Sequence, residues 1–534
     1  MIVRGYFDNT GRIVRLIFRR ERVFSALWLA GLVLFSVSLA SGIADMFDPP
    51  ARVALAETLK NPGMIALMGP VYGADNYTIG AMYSNTMFIW VAITVAAMNI
   101  LLIIRHTRAD EEDGRAEVVR SLPTGRLAIL NAAMFTALIV NAILAILTGL
   151  GVAAMQTESM GFAASMLYGA ALGAFGLFFA AVAALFAQLS ASSRSATVYS
   201  FITLCVVFVI RAAGDVSSEA LSLLSPLGLI QRSQLFVENK VWPVIILLVE
   251  AAAVSAAAYA LNAIRDLDQG FISARPGKPG ASSLLRTSSG LAFRLLRNSI
   301  IGWFVIMFCL GASYGTILAD IEMFVAESEF YQMVISANND FSTLEMFTAT
   351  VNVIASLVAI VPLLTITLRP RVEEREGRAE AVLARPVSRE KYLAGYVIPA
   401  LGASVLLPIA SALGLYASSA AVLEEPISLS FLLEANLVFV PALWVMIGAA
   451  VLLIGVLPKY TGVIWAYFGF SFFTEFIGRM LDLPGWLGKL TPLGYIPVLP
   501  VEQTNLTTLC LVGAVGLLLI LAGTFFYERR DLVG

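Results

Sequence analysis

The chain has 534 residues, of which 59% are hydrophobic and 13% charged, with a net charge of −2. Charged residues normally supply about a quarter of a soluble protein, so a water-soluble globular class is excluded. A near-neutral balance also gives no reason to expect a nucleic-acid partner. The cysteines Cys205, Cys309 and Cys510 fall inside apolar runs and read as core residues, with no disulfide framework or metal site.

In chain order, Arg12, Arg15, Arg19, Arg20 and Arg22 precede an apolar stretch over 23–46. That stretch is too long for a signal peptide and lacks a convincing cleavage site, so it reads as an uncleaved first span. The other spans of the first half lie near 81–104, 127–154, 163–190, 196–214 and 241–263. Those of the second lie near 299–318, 346–368, 392–417, 431–455, 462–478 and 506–526. Each can cross roughly 30 Å of hydrocarbon, and none has the alternation of a membrane β-barrel strand. Between the first two spans, Ala51–Leu67 is expected as an amphipathic helix broken at Asn61-Pro62-Gly63, with an acidic counterpart over 319–345. With both termini inside, the inner segments hold 28 of the 35 Lys and Arg residues, which sets the orientation.

The fold class that follows is an all-α polytopic membrane protein: twelve transmembrane helices as two parallel six-helix repeats. Internal repetition supports it. DGRAEVVRSLPTGR (113–126) and EGRAEAVLARPVSR (376–389) share seven of fourteen positions. LSPLG (224–228) answers LTPLG (490–494), and RDL (265–267) answers RDL (530–532). The first half is 1–263, a Pro/Gly/Ser-containing linker covers 264–298, and the second half is 299–534.

Each copy of the phrase follows the second span of its half. Acids open it: Asp110, Glu111, Glu112 and Asp113 in the first, Glu373, Glu374 and Glu376 in the second. A short helix is expected in each, with acids at its positive end. Glu111–Arg115 and Glu374–Arg378, four residues apart, are expected to pair. Pro123 and Pro386 stop the helix, and Thr124 and Ser388 are placed to cap the next span. Gly114 and Gly377 are costly inside a helix and suggest a close approach by another group. His106, the only histidine, stands among arginines at a span end and reads as a surface residue.

RHTRADEEDGRAEVVRSLPTGR (105–126), LSPLGLIQRSQLF (224–236) and NAIRDLDQGF (262–271) resemble the permease subunits of bacterial ABC exporters of the ABC-2 class. Closest is the fused twelve-span branch of polyketide-antibiotic and tetronasin-type multidrug exporters. The second copy departs from the pattern, with Leu368-Arg369-Pro370-Arg371 in place of Arg105-His106-Thr107-Arg108. The resemblance implies interfacial helices at about 8–22 and 284–298, and coupling helices near 108–122 and 371–385. It implies outer re-entrant hairpins over 215–240 and 479–505. It assigns contact with the ATPase subunit to Asp110, Glu111, Glu112, Gly114, Arg115 and Glu117, and to Glu373, Glu374, Gly377, Arg378 and Glu380. GxxxxGK[ST] is absent, so the resemblance implies that ATP is bound elsewhere and that this chain is expected to hold no cofactor and to be no enzyme. ATP and Mg2+ belong to two copies of a separate soluble P-loop ATPase, in the bacterial plasma membrane setting that the family implies.

Polar groups within spans are expensive and mark a substrate path or an interhelical bond. Glu250, Arg211 and Glu475 are the ionisable candidates, with Arg211 a possible partner of Glu250, and Phe178 and Phe472 are aromatic candidates for a lipophilic path. Asn99, Asn131, Asn141 and Asn436 read as mostly structural. The transported molecule is expected to be an amphipathic drug, antibiotic or lipid. The alternative is a proton-coupled transporter of the major facilitator type, whose corresponding loop is strongly basic, whereas this one balances five acids with five arginines.

Overall fold

A computed structural model of the chain describes residues 5–46, 49–157, 159–266, 269–272, 280–316, 318, 343–423, 427–477, 486–500 and 505–531. Apolar runs need every backbone N–H and C=O paired within the segment, which an α-helix does. Among the described residues eleven helices are long and apolar enough to cross a membrane, and there is no β-strand beyond an isolated bridge from Ser190 to Ile272. The protein is therefore an all-α polytopic membrane protein. It divides into two compact units, Met1–Pro276 and Gly277–Gly534.

Unit 1 begins with α1 (Thr10–Met46), then α2 (Pro49–Leu59), α3 (Pro62–Met68) and α4 (Ile79–His106). The charged phrase supplies α5 (Arg108–Glu112) and α6 (Arg115–Arg120). Next come α7 (Ala128–Ala154), α8 (Phe162–Leu189), α9 (Ser193–Ser217), α10 (Glu219–Leu223), α11 (Pro226–Gln231) and α12 (Trp242–Ile264). The α8 helix is the centre, touching α4, α7, α9 and α12, while α1 packs on α4 and α7. Small residues allow this: a Cβ on Gly169 would stand 2.1 Å from the Ala145 carbonyl oxygen, so α7 and α8 meet backbone to backbone.

Unit 2 contains α13 (Ser288–Thr316), α14 (Thr343–Thr367), α15 (Arg369–Arg375), α16 (Arg378–Leu383), α17 (Arg389–Val422), α18 (Leu429–Leu437), α19 (Val440–Val456), α20 (Val463–Phe472) and α21 (Leu506–Arg529). The same device recurs where α13 crosses α17: a Cβ on Gly414 would lie 2.0 Å from the Phe308 carbonyl oxygen.

Three expectations are modified. The first span and the stretch expected as a separate interfacial helix form one helix, α1, of 37 residues and so about 55 Å; nothing in RRERVFSAL (19–27) breaks it. Likewise α13 runs through 298 without interruption. The eleventh expected span, 462–478, is represented by α20 and a π-turn at Phe473–Ile477, with 478–485 outside the described residues. The acidic segment 319–342 and part of 479–505 lie outside them as well. The break expected at Asn61-Pro62-Gly63 separates α2 from α3.

Candidate functional site

Both copies of the charged phrase fold as two short helices joined at a glycine, where one helix each was expected. Gly114 has φ 71° and Gly377 φ 70°, in the left-handed region that L-residues avoid. A Cβ at either would meet nothing within 4 Å, so the backbone conformation demands glycine, and the close approach read from the sequence is absent among the described residues. Of the two expected caps, only the Ser388 hydroxyl accepts a helix N–H, from Lys391; the Thr124 hydroxyl donates back to Val119.

The break also shifts the ion pairs. Arg115 starts a new helix and donates to Asp110 at 2.9 Å instead of meeting Glu111. In unit 2 Arg378 donates to Glu373 at 2.5 Å instead of meeting Glu374. These hydrogen bonds hold the Arg378 guanidinium above its ordinary pKa, whereas burial lowers that of Arg120.

Freed from those pairings, Glu111 and Glu374 turn inward. Glu111 binds Arg108 at 2.7 Å and Arg265, which stands just past the end of α12. Glu374 accepts from Arg530, just past the end of α21, with both oxygens at 2.8 and 2.6 Å. The carboxylate side chains are 7% and 2% exposed, and their arginine partners 4% and 11%. Two further contacts are duplicated. Arg108 donates to the Ala191 carbonyl at 2.6 Å, and Arg371 to the Pro458 carbonyl at 2.9 Å. The last residue of each phrase closes the set: Arg126 donates to the Arg265 carbonyl at 3.0 Å, and Arg389 to the Arg530 carbonyl.

Unit 1 adds ties of its own. Arg20 of α1 forks onto Asp110 at 2.8 and 3.1 Å. Glu21, fully buried, lies 3.0 Å from Arg105 and 2.9 Å from His106. His106 is thus 1% exposed, not the surface residue expected, because the α1 carboxylate gives it a buried partner. Glu112 accepts the N–H and hydroxyl of Ser193, capping the start of α9. Three consecutive acids, Asp110, Glu111 and Glu112, therefore hold α1, the end of α12 and the start of α9. In unit 2, Glu373 is held from its own loop by Arg369 and Arg378, and Arg375 stands in the place of Glu112.

What remains outward is small. Glu117 and Glu380, identical in the two phrases, are exposed and have no ion pair or side-chain hydrogen bond among the described residues. Beside Glu117, Val118 and Leu122 are 68% and 59% exposed. The corresponding positions in unit 2 are Ala381 and Arg385.

The residues expected along a substrate path are more dispersed. Arg211 is fully buried and donates to the Ala66 and Leu67 carbonyls at 2.7 and 3.2 Å, with Asp215 at 3.4 Å. It pairs there and not with Glu250, which is half-buried on α12. Phe178 packs edge-on against Phe179 inside unit 1. In unit 2, Glu475 is 4% exposed and accepts from Thr491 at 3.3 Å, and Phe472 is 42% exposed. The asparagines are structural: Asn99 and Asn141 exchange amide hydrogen bonds of 3.1 and 2.6 Å, Asn131 accepts from Tyr259, and Asn436 donates to Asn352. Unit 1 also has an open apolar groove of about 460 Å³ between α1 and α4, lined by Phe24, Trp28, Phe35 and Val91 among others.

Sequence reasoning missed the roles of Arg265, Arg530, Arg126 and Arg389. The signals were present: the repeated RDL and the shared last arginine of the two phrases.

Two helical membrane units, each with a glycine-hinged charged helix pair tied to its last long helix, define a polytopic membrane protein of duplicated design. The sequence profile of the family described as "Multidrug efflux system permease Rv1217c, C-terminal domain" matches residues 11–261 and 285–528. A relative from Mycobacterium tuberculosis (strain ATCC 25618 / H37Rv), "Multidrug efflux system permease protein Rv1217c", is 32% identical over 531 residues, covering 98% of this chain and 95% of the relative. The chain belongs to the Rv1217c-like multidrug efflux permease family.

Proposed function

We propose that this chain is the membrane permease of an ATP-driven multidrug exporter of the ABC-2 class, in its fused twelve-span branch. It moves amphipathic, lipophilic compounds outward across the bacterial plasma membrane, with both termini cytoplasmic. The efflux role rests on membership of the multidrug efflux permease family and on the likeness to the M. tuberculosis relative, and the apolar groove on α1 and α4 suits lipophilic cargo. No P-loop occurs in the sequence, so ATP and Mg2+ are handled by two copies of a separate ATPase, and the chain is a transport subunit without catalysis of its own.

One observation carries the reading. The glycine-hinged helix pair is built twice, its acids are spent on anchoring it, and one identical carboxylate in each copy, Glu117 and Glu380, points outward without a partner among the described residues. A repeated polar group that satisfies nothing internal suits contact with a partner that has two equivalent surfaces. Exposed charges at a rim act mainly on association and partner choice. A secondary transporter gives no reason for this arrangement.

The test is co-purification of the chain with a soluble P-loop ATPase from the same cell, sought first in the neighbouring gene. Glu117→Arg with Glu380→Arg is expected to slow association and weaken the complex, most at low salt, while leaving the thermal unfolding of the permease unchanged. Undiminished binding by the double variant would remove the docking assignment.

A further inference from the structure

The RDL repeats are not used by the docking surface itself, yet they meet it in both units. We propose that Arg265 and Arg530 are the transmission joints of the permease: positioning residues that carry displacement of the docking helices into the last long helix of each unit. The inference rests on the docking reading given above and deepens it.

Each arginine is engaged on two sides. Its guanidinium holds the carboxylate before the hinge, Glu111 or Glu374, and its carbonyl accepts from the arginine that ends the phrase, Arg126 or Arg389. The two ends of the docking element, fifteen residues apart, are thus fastened to one residue adjoining α12 or α21. Arg108 and Arg371 add a tie to the carbonyls of Ala191 and Pro458, ahead of α9 and α20. These guanidinium–carboxylate pairs are withdrawn from water, and breaking one strands a buried charge. An exposed loop pair would yield instead, since it gains little from holding one geometry. The contact is also kept in both repeats. The same four-part contact recurs in unit 2, where Glu373 is held from its own loop and Arg375 replaces Glu112, so it is retained while the neighbouring ties have changed. Coupling needs an element whose position both sites bias, and the arginine joint is where the docking element and the long helix share one.

The experiment uses the intact complex of permease and ATPase in nanodiscs. Hydrogen exchange is followed in peptides covering 115–126 and 378–389, and in peptides at the ends of α12 and α21, with and without a non-hydrolysable ATP analogue. In the wild type, nucleotide is expected to change exchange in both sets by about fivefold or more, the usual lower range of coupled sites. In Arg265→Ala with Arg530→Ala the ATPase still binds and the docking peptides still respond, but the helix ends lose their response. Glu111→Gln with Glu374→Gln, which keeps shape and removes only charge, gives the same loss if the alanine variant does not fold. Arg265→Lys with Arg530→Lys, which keeps a cation opposite Glu111 and Glu374, retains part of the helix-end response. A helix-end response that survives in the glutamine variant overturns the inference, as does loss of ATPase binding in a folded variant, which would make the arginines part of the docking surface. If no P-loop ATPase binds the wild-type chain, the functional reading fails instead.

Discussion

Replacing the hinge glycine separates two physical reasons for its presence. At Gly377 φ is 70° and ψ 1°, and at Gly114 φ is 71° and ψ 0°. An alanine held there costs about 1–2 kcal/mol from the contact of its Cβ with its own backbone, and no clash adds to this because nothing lies within 4 Å of the added atom. Asparagine tolerates the left-handed region better than other L-residues, so its cost is smaller although its side chain is larger. The purified permease, without its partner, is compared as wild type, Gly377→Ala and Gly377→Asn by hydrogen exchange over 378–385. Alanine is expected to raise local opening by about 5–30-fold, the equivalent of 1–2 kcal/mol, with asparagine between alanine and wild type. If asparagine opens the element more than alanine does, steric room is the constraint. If alanine changes nothing, the left-handed hinge is not populated. Either result would refute the reasoning.

Two further outcomes follow from packing and capping. Gly176→Ala places a Cβ 2.1 Å from Asn141 Oδ1 and 2.7 Å from Asn99 Nδ2, in the reciprocal amide pair of α4 and α7; overpacking of this kind costs about 1–3 kcal/mol and should lower the thermal midpoint in detergent, whereas Gly402→Ala, with nothing within 4 Å, should not. Glu112→Ala removes the acceptor at the start of α9 and should cost about 0.5–2 kcal/mol, seen as faster exchange at 193–197 with no change in α7; an unchanged rate would mean that Ser192, itself an N-cap, suffices alone.

Hydropathy and repetition were enough to read the helical class, most span positions and the location of the charged phrase. Span runs are legible because the bilayer requires them to be long and apolar. The phrase itself was misread by one residue. Helical spacing pairs Glu111 with Arg115 only if one helix contains both, and the left-handed turn at Gly114 ends that helix between them. Once the register breaks, Asp110 takes Arg115, and Glu111 reaches Arg265, 154 residues away. No local rule specifies such a partner. The same holds for His106, whose burial depends on Glu21 from another helix. Repetition was the better guide: the residues shared by both phrases include the hinge glycine, the arginine after it and the closing arginine, and each has a structural task.

The ring formed by Arg265, Glu111 and Arg126, and its twin around Arg530, is joined by one ion pair and one carbonyl hydrogen bond within the chain. Because these contacts are withdrawn from water and lie within the chain, the fold of each charged phrase is expected to persist when the surrounding bilayer is exchanged for micelles.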